Sequence, residues 1–392
     1  MSSQTPVQKT VEPQYIRVPK GLQNVIVDQT KISGVDPKGE TTIYRGYLIE
    51  DLARALTFEE AAFLFLYGHL PSEDEVKSFS QKLNKEREVP EEVYEIFKNM
   101  PSNTHPMAIL RTGVSFLGTL DPKADDLSKE NLYETAIKLI AKTATIAANG
   151  YRITRGQEPV KPDPSKPHAL DALRMIIGRE PSKLEARAFE SSLILYMDHG
   201  FNASTFTVRV IASTLSDMYS AVTGGVGALK GPLHGGANEK AMYMLLEIKD
   251  KEKAREYILG KLSRKEKIMG FGHRVYKIKD PRVDVAKEYL KKMSETNPEA
   301  KHYLELCEEI EKIMWEQKRL PANIDFYTAP LYYVMGIPIE MYTPIFAMAR
   351  VVGWTSHFIE QVGDNKIIRP KEEYVGPVGL KLPEEKMRRE DP

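Results

Sequence analysis

Apolar residues recur along most of the chain at the spacing of a helix face. Thr57-x-x-Glu60 is a capping box, and Ala61, Leu64, Phe65 and Gly68 behind it share one side. Ser72-x-x-Glu75 repeats the signature ahead of Val76, Phe79 and Leu83. Ser182-x-x-Glu185 opens a third helix with a stripe of Phe189, Leu193 and Tyr196, which His199-Gly200 would cap. One stretch, residues 24–44, reads as β. Val25, Val27 and Ile32 alternate with polar residues, Asp36-Pro37-Lys38-Gly39 signals a turn, and Thr41-Thr42-Ile43-Tyr44 predicts the returning strand. Strands alternating with helices are missing, which disfavours a parallel α/β sheet. The pattern predicts a mainly α protein with a short N-terminal β-hairpin.

Two segments interrupt the helical pattern. Residues 155–167 carry Gly156 and Pro159, Pro162, Pro164 and Pro167, and read as a surface loop. Residues 224–236 hold six glycines and read as irregular chain, of use to a helical protein at a hinge or a ligand. The tail after Arg369 is rich in charge and proline and should run over a surface.

At 392 residues the chain is long enough for two or three domains. A single cysteine, Cys307, excludes an internal disulfide, a CxxC redox motif and a multi-cysteine zinc site. Fifty-five basic residues balance 55 acidic ones, so no global field is available to grip a nucleic-acid backbone. The chain has no membrane-spanning apolar run, and MSSQTPVQKT has neither the apolar core of a secretory signal nor the arginines of a transit peptide, so the cytoplasm is expected.

Common catalytic motifs fail: there is no GxxxxGK[ST], HExxH or GxSxG, and Gly225-x-Gly227 meets Lys230 where a third glycine belongs. Of the eight histidines, His199, His234 and His273 each touch glycine, and a glycine neighbour leaves an imidazole open to a ligand. Taken singly, each is as readily a helix cap. Residues 261–282 set eight basic side chains around Gly270-Phe271-Gly272-His273 against Glu266 and Asp280 alone. That cluster suits a phosphate or carboxylate ligand, with a solvated helix face as the competing reading for Lys261 to Lys267. Arg282 follows Asp280-Pro281 in an expected turn. Asp325 lies among apolar and aromatic neighbours, where burial would make it a stronger base; a helix cap is the simpler reading.

Together these segments resemble the citrate synthase family. Gly231-Pro232-Leu233-His234-Gly235-Gly236-Ala237-Asn238-Glu239 is similar to its first catalytic-histidine loop, Met269-Gly270-Phe271-Gly272-His273-Arg274-Val275-Tyr276 to its second, and Asn323-Ile324-Asp325-Phe326-Tyr327 to its catalytic aspartate. Tyr44-Arg45-Gly46-Tyr47 and His105-Pro106-Met107 also match, so the likeness covers nearly the whole chain. The resemblance implies a two-domain citrate synthase-like fold: a large helical domain over 1–225, a small domain over 226–333, and a return to the large domain with the tail over 334–392. The site would lie between them.

It also implies the chemistry: acetyl-CoA condenses with oxaloacetate and water to give citrate and CoA. His234, His273 and Asp325 would be catalytic, and His199, Arg282, Arg350 and Arg369 would hold oxaloacetate. Ile268, Gly270, Gly272 and Lys277 would meet coenzyme A, which is substrate and product rather than a bound cofactor. No metal is implied, nor a nucleic acid or membrane partner. A homodimer is expected, with Arg369 contributed across its interface. The close rival is 2-methylcitrate synthase, which uses propionyl-CoA; the distant one is a non-catalytic helical protein that binds CoA or a dicarboxylate.

Overall fold

The computed structural model describes residues 15–35, 41–272, 276, 279–383 and 386. The chain divides into two compact units, Met1–Lys31 and Ile32–Pro392. In the first, the described residues are mostly exposed and form one 3₁₀ turn, Lys20–Leu22. Val25 and Val27, expected in a strand, lie outside any sheet. Alternation alone does not make a strand without a partner on which to pair.

The second unit opens with strands β1 (Ser33–Val35), β2 (Thr42–Tyr44) and β3 (Tyr47–Leu48). The expected hairpin is present as β1 and β2, antiparallel with Ser33 opposite Tyr44, and β3 adds a third strand with Tyr44 opposite Tyr47. The hairpin's turn, at 36–40, lies outside the described residues.

Helices follow without interruption by further strands among the described residues: α1 (Ile49–Ala55), α2 (Phe58–Tyr67), α3 (Glu73–Lys85), α4 (Glu91–Lys98) and α5 (Pro106–Leu120). Next come α6 (Lys129–Thr154), α7 (His168–Ile177), α8 (Lys183–Tyr196), α9 (Ala203–Ser213) and α10 (Met218–Leu229). Then α11 (Ala237–Ile248), α12 (Lys251–Ser263), α13 (Pro281–Ser294), α14 (Pro298–Lys318), α15 (Ile324–Val334) and α16 (Tyr342–Gly363) complete the unit. All three capping boxes form: Thr57, Ser72 and Ser182 each accept the backbone N–H three residues on, and the glutamate there reaches back. Proline at the first turn of α5, α13 and α14 starts those helices without losing a hydrogen bond.

Helix α16 is buried nearly all round and packs on α6, α8, α9 and α10, as a helix apolar on every side must. Its Gly353 lets it approach the end of α8, since a Cβ there would lie 2.4 Å from the Met197 carbonyl oxygen. Helices α11 to α15 pack largely on one another, α13 on α14 and α15, α11 on α15, α12 on α14.

Two expectations need correction. Much of the glycine-rich stretch is regular helix, because Gly224, Gly225 and Gly227 all lie in α10. A Cβ on Gly225 would sit 3.0 Å from the Trp354 ring and from Val208, so this glycine serves close helix packing rather than bending. Arg282 is not in a turn either: Asp280 caps α13, Pro281 is its first residue, and Arg282 follows inside the helix. The loop over 155–167 is as expected. Beyond α16 the described chain runs without helix or strand to residue 383, with Arg369 exposed.

Candidate active site

Five helix ends build the site, the end of α8 and the starts of α9, α11, α13 and α15. Helix α8 stops at Tyr196, and the next residues, Met197, Asp198 and His199, turn toward α9. Asn202 starts α9 by accepting the Ser204 and Thr205 N–H groups at 3.2 and 3.1 Å. Ser204 then holds His234, its backbone N–H pointing at Nε2 (3.2 Å) and its Oγ lying 2.8 Å from the same atom. A backbone N–H only donates, so Nε2 carries the lone pair and the ring proton belongs on Nδ1. Trp354 of α16 donates its indole N–H to Ser204 Oγ at 3.2 Å and fixes the arrangement from below.

His234 itself sits in the short irregular link 230–236, bent by its N–H bond to Gly231 O, with Gly236 at φ 77 opening α11. Burial and then the Arg350 charge hold its imidazole down to about 4. The ring is therefore neutral at physiological pH and offers an N–H.

Asp325 lies in the first turn of α15. It is not the cap: Asn323 is, accepting the Asp325 N–H at 3.1 Å and leaving the Asp325 carboxylate for other work. Asn323 also ties this end to the 268–272 segment, through its N–H to Gly270 O (2.9 Å) and its Nδ2 to Gly272 O (3.0 Å). Tyr196 donates its hydroxyl to Asp325 Oδ1 at 2.7 Å. Burial pushes the Asp325 carboxyl above the ordinary carboxylate range, against the opposing pull of Tyr196, Arg282 and Arg350.

The two buried arginines differ in their partners. Arg282 grips Asp280 with two bonds, Nε to Oδ1 (2.9 Å) and Nη2 to Oδ2 (2.8 Å), and Asp280 Oδ2 also accepts the Ile324 N–H at 3.1 Å. That carboxylate thus joins the starts of α13 and α15. Arg350 spends only its Nε, on the Tyr196 carbonyl at 2.8 Å, with its guanidinium 4.6 Å from the centre of the Phe346 ring. Its Nη groups make no hydrogen bond to a described residue. The Arg350 charge acts on Asp198, His234 and Asp325 alike.

Beneath it lies a polar floor. Buried Asp198 accepts from the Ser33 hydroxyl and pairs with His357 Nε2 at 2.9 Å. Burial alone would raise the Asp198 carboxyl, but His357, Arg350 and Ser33 together hold it at about 2. Tyr44 donates to the Asp198 carbonyl at 2.7 Å, so the first strand pair delivers both Ser33 and Tyr44 to this point.

His234, Asp325 and Arg350 are brought together, with Arg282 beside Asp325. His199 stands edge-on to the Tyr276 ring at 5.8 Å, and Arg282 faces that same ring at 5.5 Å. Ile268, Gly270 and Gly272 line the segment tied to Asn323. Gly270, at φ 82, has no room for a Cβ, which would fall 2.6 Å from Phe326. His273 and Lys277 lie outside the described residues. Arg369 is exposed on the tail. The basic cluster is partly neutralised: Arg264 and Lys261 pair with Glu266, Lys279 with Asp284 and Arg282 with Asp280.

Sequence reading missed Tyr196, Ser204, Trp354 and the Asp198–His357 pair. Tyr196 reads as part of the apolar stripe of α8, and His357 has no glycine neighbour to single it out. The one available hint was Asn202-x-Ser204, a cap signature just past His199.

A neutral imidazole donor and a carboxyl raised by burial, both within the field of buried arginines, are groups suited to acid–base chemistry. Comparison narrows the class. The sequence matches the family model described as "Citrate synthase, C-terminal domain" over residues 21–371. It is 46% identical to citrate synthase 2 of Bacillus subtilis, over 91% of this chain and 96% of that one. It is 44% identical to a 2-methylcitrate synthase of Mycobacterium tuberculosis, over 92% and 91%. The structure of the ternary complex of citrate synthase from Thermoplasma acidophilum with carboxymethyl coenzyme A and oxaloacetate superposes with a TM-score of 0.88, at 35% identity over 94% of this chain and 99% of that one. The chain belongs to the citrate synthase family, and is an acyltransferase for which coenzyme A is a substrate and product, with no resident cofactor.

Proposed function

We propose that this enzyme is a citrate synthase proper, condensing acetyl-CoA with oxaloacetate and water to citrate and CoA. The observation that carries the reading is the trio around Arg350: His234 held neutral with its proton on Nδ1, Asp325 raised toward basicity, and guanidinium donors left for a ligand. A thioester methyl is too weak an acid for a carboxylate alone. Asp325 takes the methyl proton while His234 Nδ1–H donates to the thioester oxygen, where negative charge grows. The enolate carbon then attacks the ketone carbon of oxaloacetate, whose oxygen accepts from His273 as the new bond forms. Water finally cleaves the thioester and releases CoA.

Arg350, Arg282 and His199 hold the oxaloacetate carboxylates, joined by Arg369 of a second copy in a homodimer. Guanidinium suits this task because its planar fork matches a carboxylate. The small domain, 226–333, closes over the site and excludes water from the enol, while Ile268, Gly270, Gly272 and Lys277 meet coenzyme A. Scattering that shows no compaction on adding oxaloacetate would count against closure.

A second reading, 2-methylcitrate synthase, is favoured by the relatives of that name at 44% identity. One methylene is worth only about 1–3 kcal/mol in an apolar pocket, so the activities should overlap. Thiol release from acetyl-CoA and from propionyl-CoA, each with and without oxaloacetate, separates them. The proposal expects oxaloacetate-dependent release that is faster with acetyl-CoA; preference for propionyl-CoA would establish the second reading, and no release with either would refute both.

A further inference from the structure

Among the described residues, Tyr196 grips both the candidate base and the Arg350 guanidinium. Its hydroxyl lies 2.7 Å from Asp325 Oδ1 and 2.8 Å from Thr328 Oγ1, and its carbonyl accepts Arg350 Nε at 2.8 Å. The ring is buried and packs edge-on against Phe346, with centroids 4.6 Å apart, so the hydroxyl has a fixed place. Thr328 Oγ1 in turn stands 3.1 Å from the Ile324 carbonyl one turn back along α15.

We infer that Tyr196 is a positioning residue for proton abstraction: its hydroxyl occupies Asp325 Oδ1, keeps the carboxylate ionised, and leaves Oδ2 to receive the substrate's proton. The inference rests on Asp325 being the base. Burial makes Asp325 a stronger base, but unopposed burial would protonate it at working pH and silence it. A neutral phenol donor opposes burial without cancelling the charge, as a directly bound guanidinium would. When the methyl C–H bond breaks, its electron pair stays on the substrate as the enolate, whose oxygen accepts a hydrogen bond from His234 Nδ1–H, and the proton goes to Oδ2. The Tyr196 proton is not transferred; it follows the change by weakening its bond to Oδ1 or turning toward Thr328 Oγ1.

Phenol loss is not an option for Tyr196 itself, because burial and the Asp325 charge hold its pKa well above the ordinary value. Among the described residues, other charged or titratable groups acting on Asp325 include Asp280, which caps α13, Arg282 within it and Arg350 from α16, and Tyr332 feels it from within α15. None of these changes in Tyr196→Phe, which removes one oxygen.

The test is the pH profile of oxaloacetate-dependent thiol release from acetyl-CoA. In Tyr196→Phe the acid limb of kcat/KM should move up by about one pH unit, with roughly tenfold loss below the limb and partial recovery above it. The KM for oxaloacetate should stay within about threefold, since Arg350 is held by the backbone carbonyl. Thr328→Val removes the acceptor that competes with Asp325 for the Tyr196 proton, so it should move the limb slightly to lower pH, and it serves alone if Tyr196→Phe does not fold. A uniform loss in Tyr196→Phe with the limb unmoved or displaced to lower pH, or an upward shift in Thr328→Val, overturns the inference. Asp325→Asn, run beside them, separates the two claims. If it is inactive while the limb of Tyr196→Phe stays put, only the inference fails; if it turns over normally, the base assignment fails whatever Tyr196 does.

Discussion

His234 and Asp325 stand in matching places. One precedes α11 and the other opens α15; each is partly buried, and each is held by a hydroxyl residue near the α8–α9 junction, Ser204 or Tyr196. Burial acts on both and drives both toward neutrality, yet the consequences are opposite. In the proposed reaction, neutrality is the working state of the imidazole, a donor that refuses a second proton. For the carboxyl it is the product state, so burial would raise its appetite for a proton while Tyr196, Arg282 and Arg350 would keep it charged until substrate supplies one. One low-dielectric cleft thus makes a poor base of a histidine and a good base of an aspartate. The difference lies in which atom each partner occupies: Ser204 blocks the basic nitrogen, whereas Tyr196 holds one carboxylate oxygen and spares the other.

The comparison breaks most visibly at the base. Asp325→Asn keeps the shape and loses proton affinity, and turnover should fall on the order of a thousandfold in an otherwise folded protein, measured by thiol release. His234→Gln retains a donor of poorer placement, with an expected loss of about a hundredfold in kcat. Above about 4 the imidazole does not titrate. Activity should therefore rise with pH through a single acid limb belonging to Asp325, and that limb should hold its position in His234→Gln.

Arg350→Met sharpens the contrast by removing the cation common to both groups. The His234 and Asp325 pKa values should both rise, and the KM for oxaloacetate should increase by about tenfold from the lost carboxylate contact. Imidazole NMR titration and the pH–rate profile read the two shifts. Trp354→Phe deletes the indole N–H on Ser204 Oγ. A neutral hydrogen bond of about 1 kcal/mol, one step removed from His234, should cost about threefold in kcat, with KM unchanged.

Much of the scaffold was legible because its signals are local. The boxes at Thr57, Ser72 and Ser182 and the helix-starting prolines act within one turn, so they survive any tertiary context. The stretch 224–236 misled because glycine density has two causes, bending and close packing, and only the contact of Gly225 with Trp354, far along the chain, tells them apart. His234 and Asp325 were visible through neighbouring residues that resemble a known family. Tyr196, Ser204 and Asp198 were not, since their roles exist only where α8, α9, α15 and α16 meet.

The most direct test of this electrostatic account is the imidazole ¹⁵N spectrum of His234, assigned by its loss in His234→Gln. The account predicts a neutral ring, protonated on Nδ1 with the lone pair on Nε2, unchanged as pH is lowered until it approaches about 4. Titration near the ordinary 6.5, or a ring proton on Nε2, would contradict it.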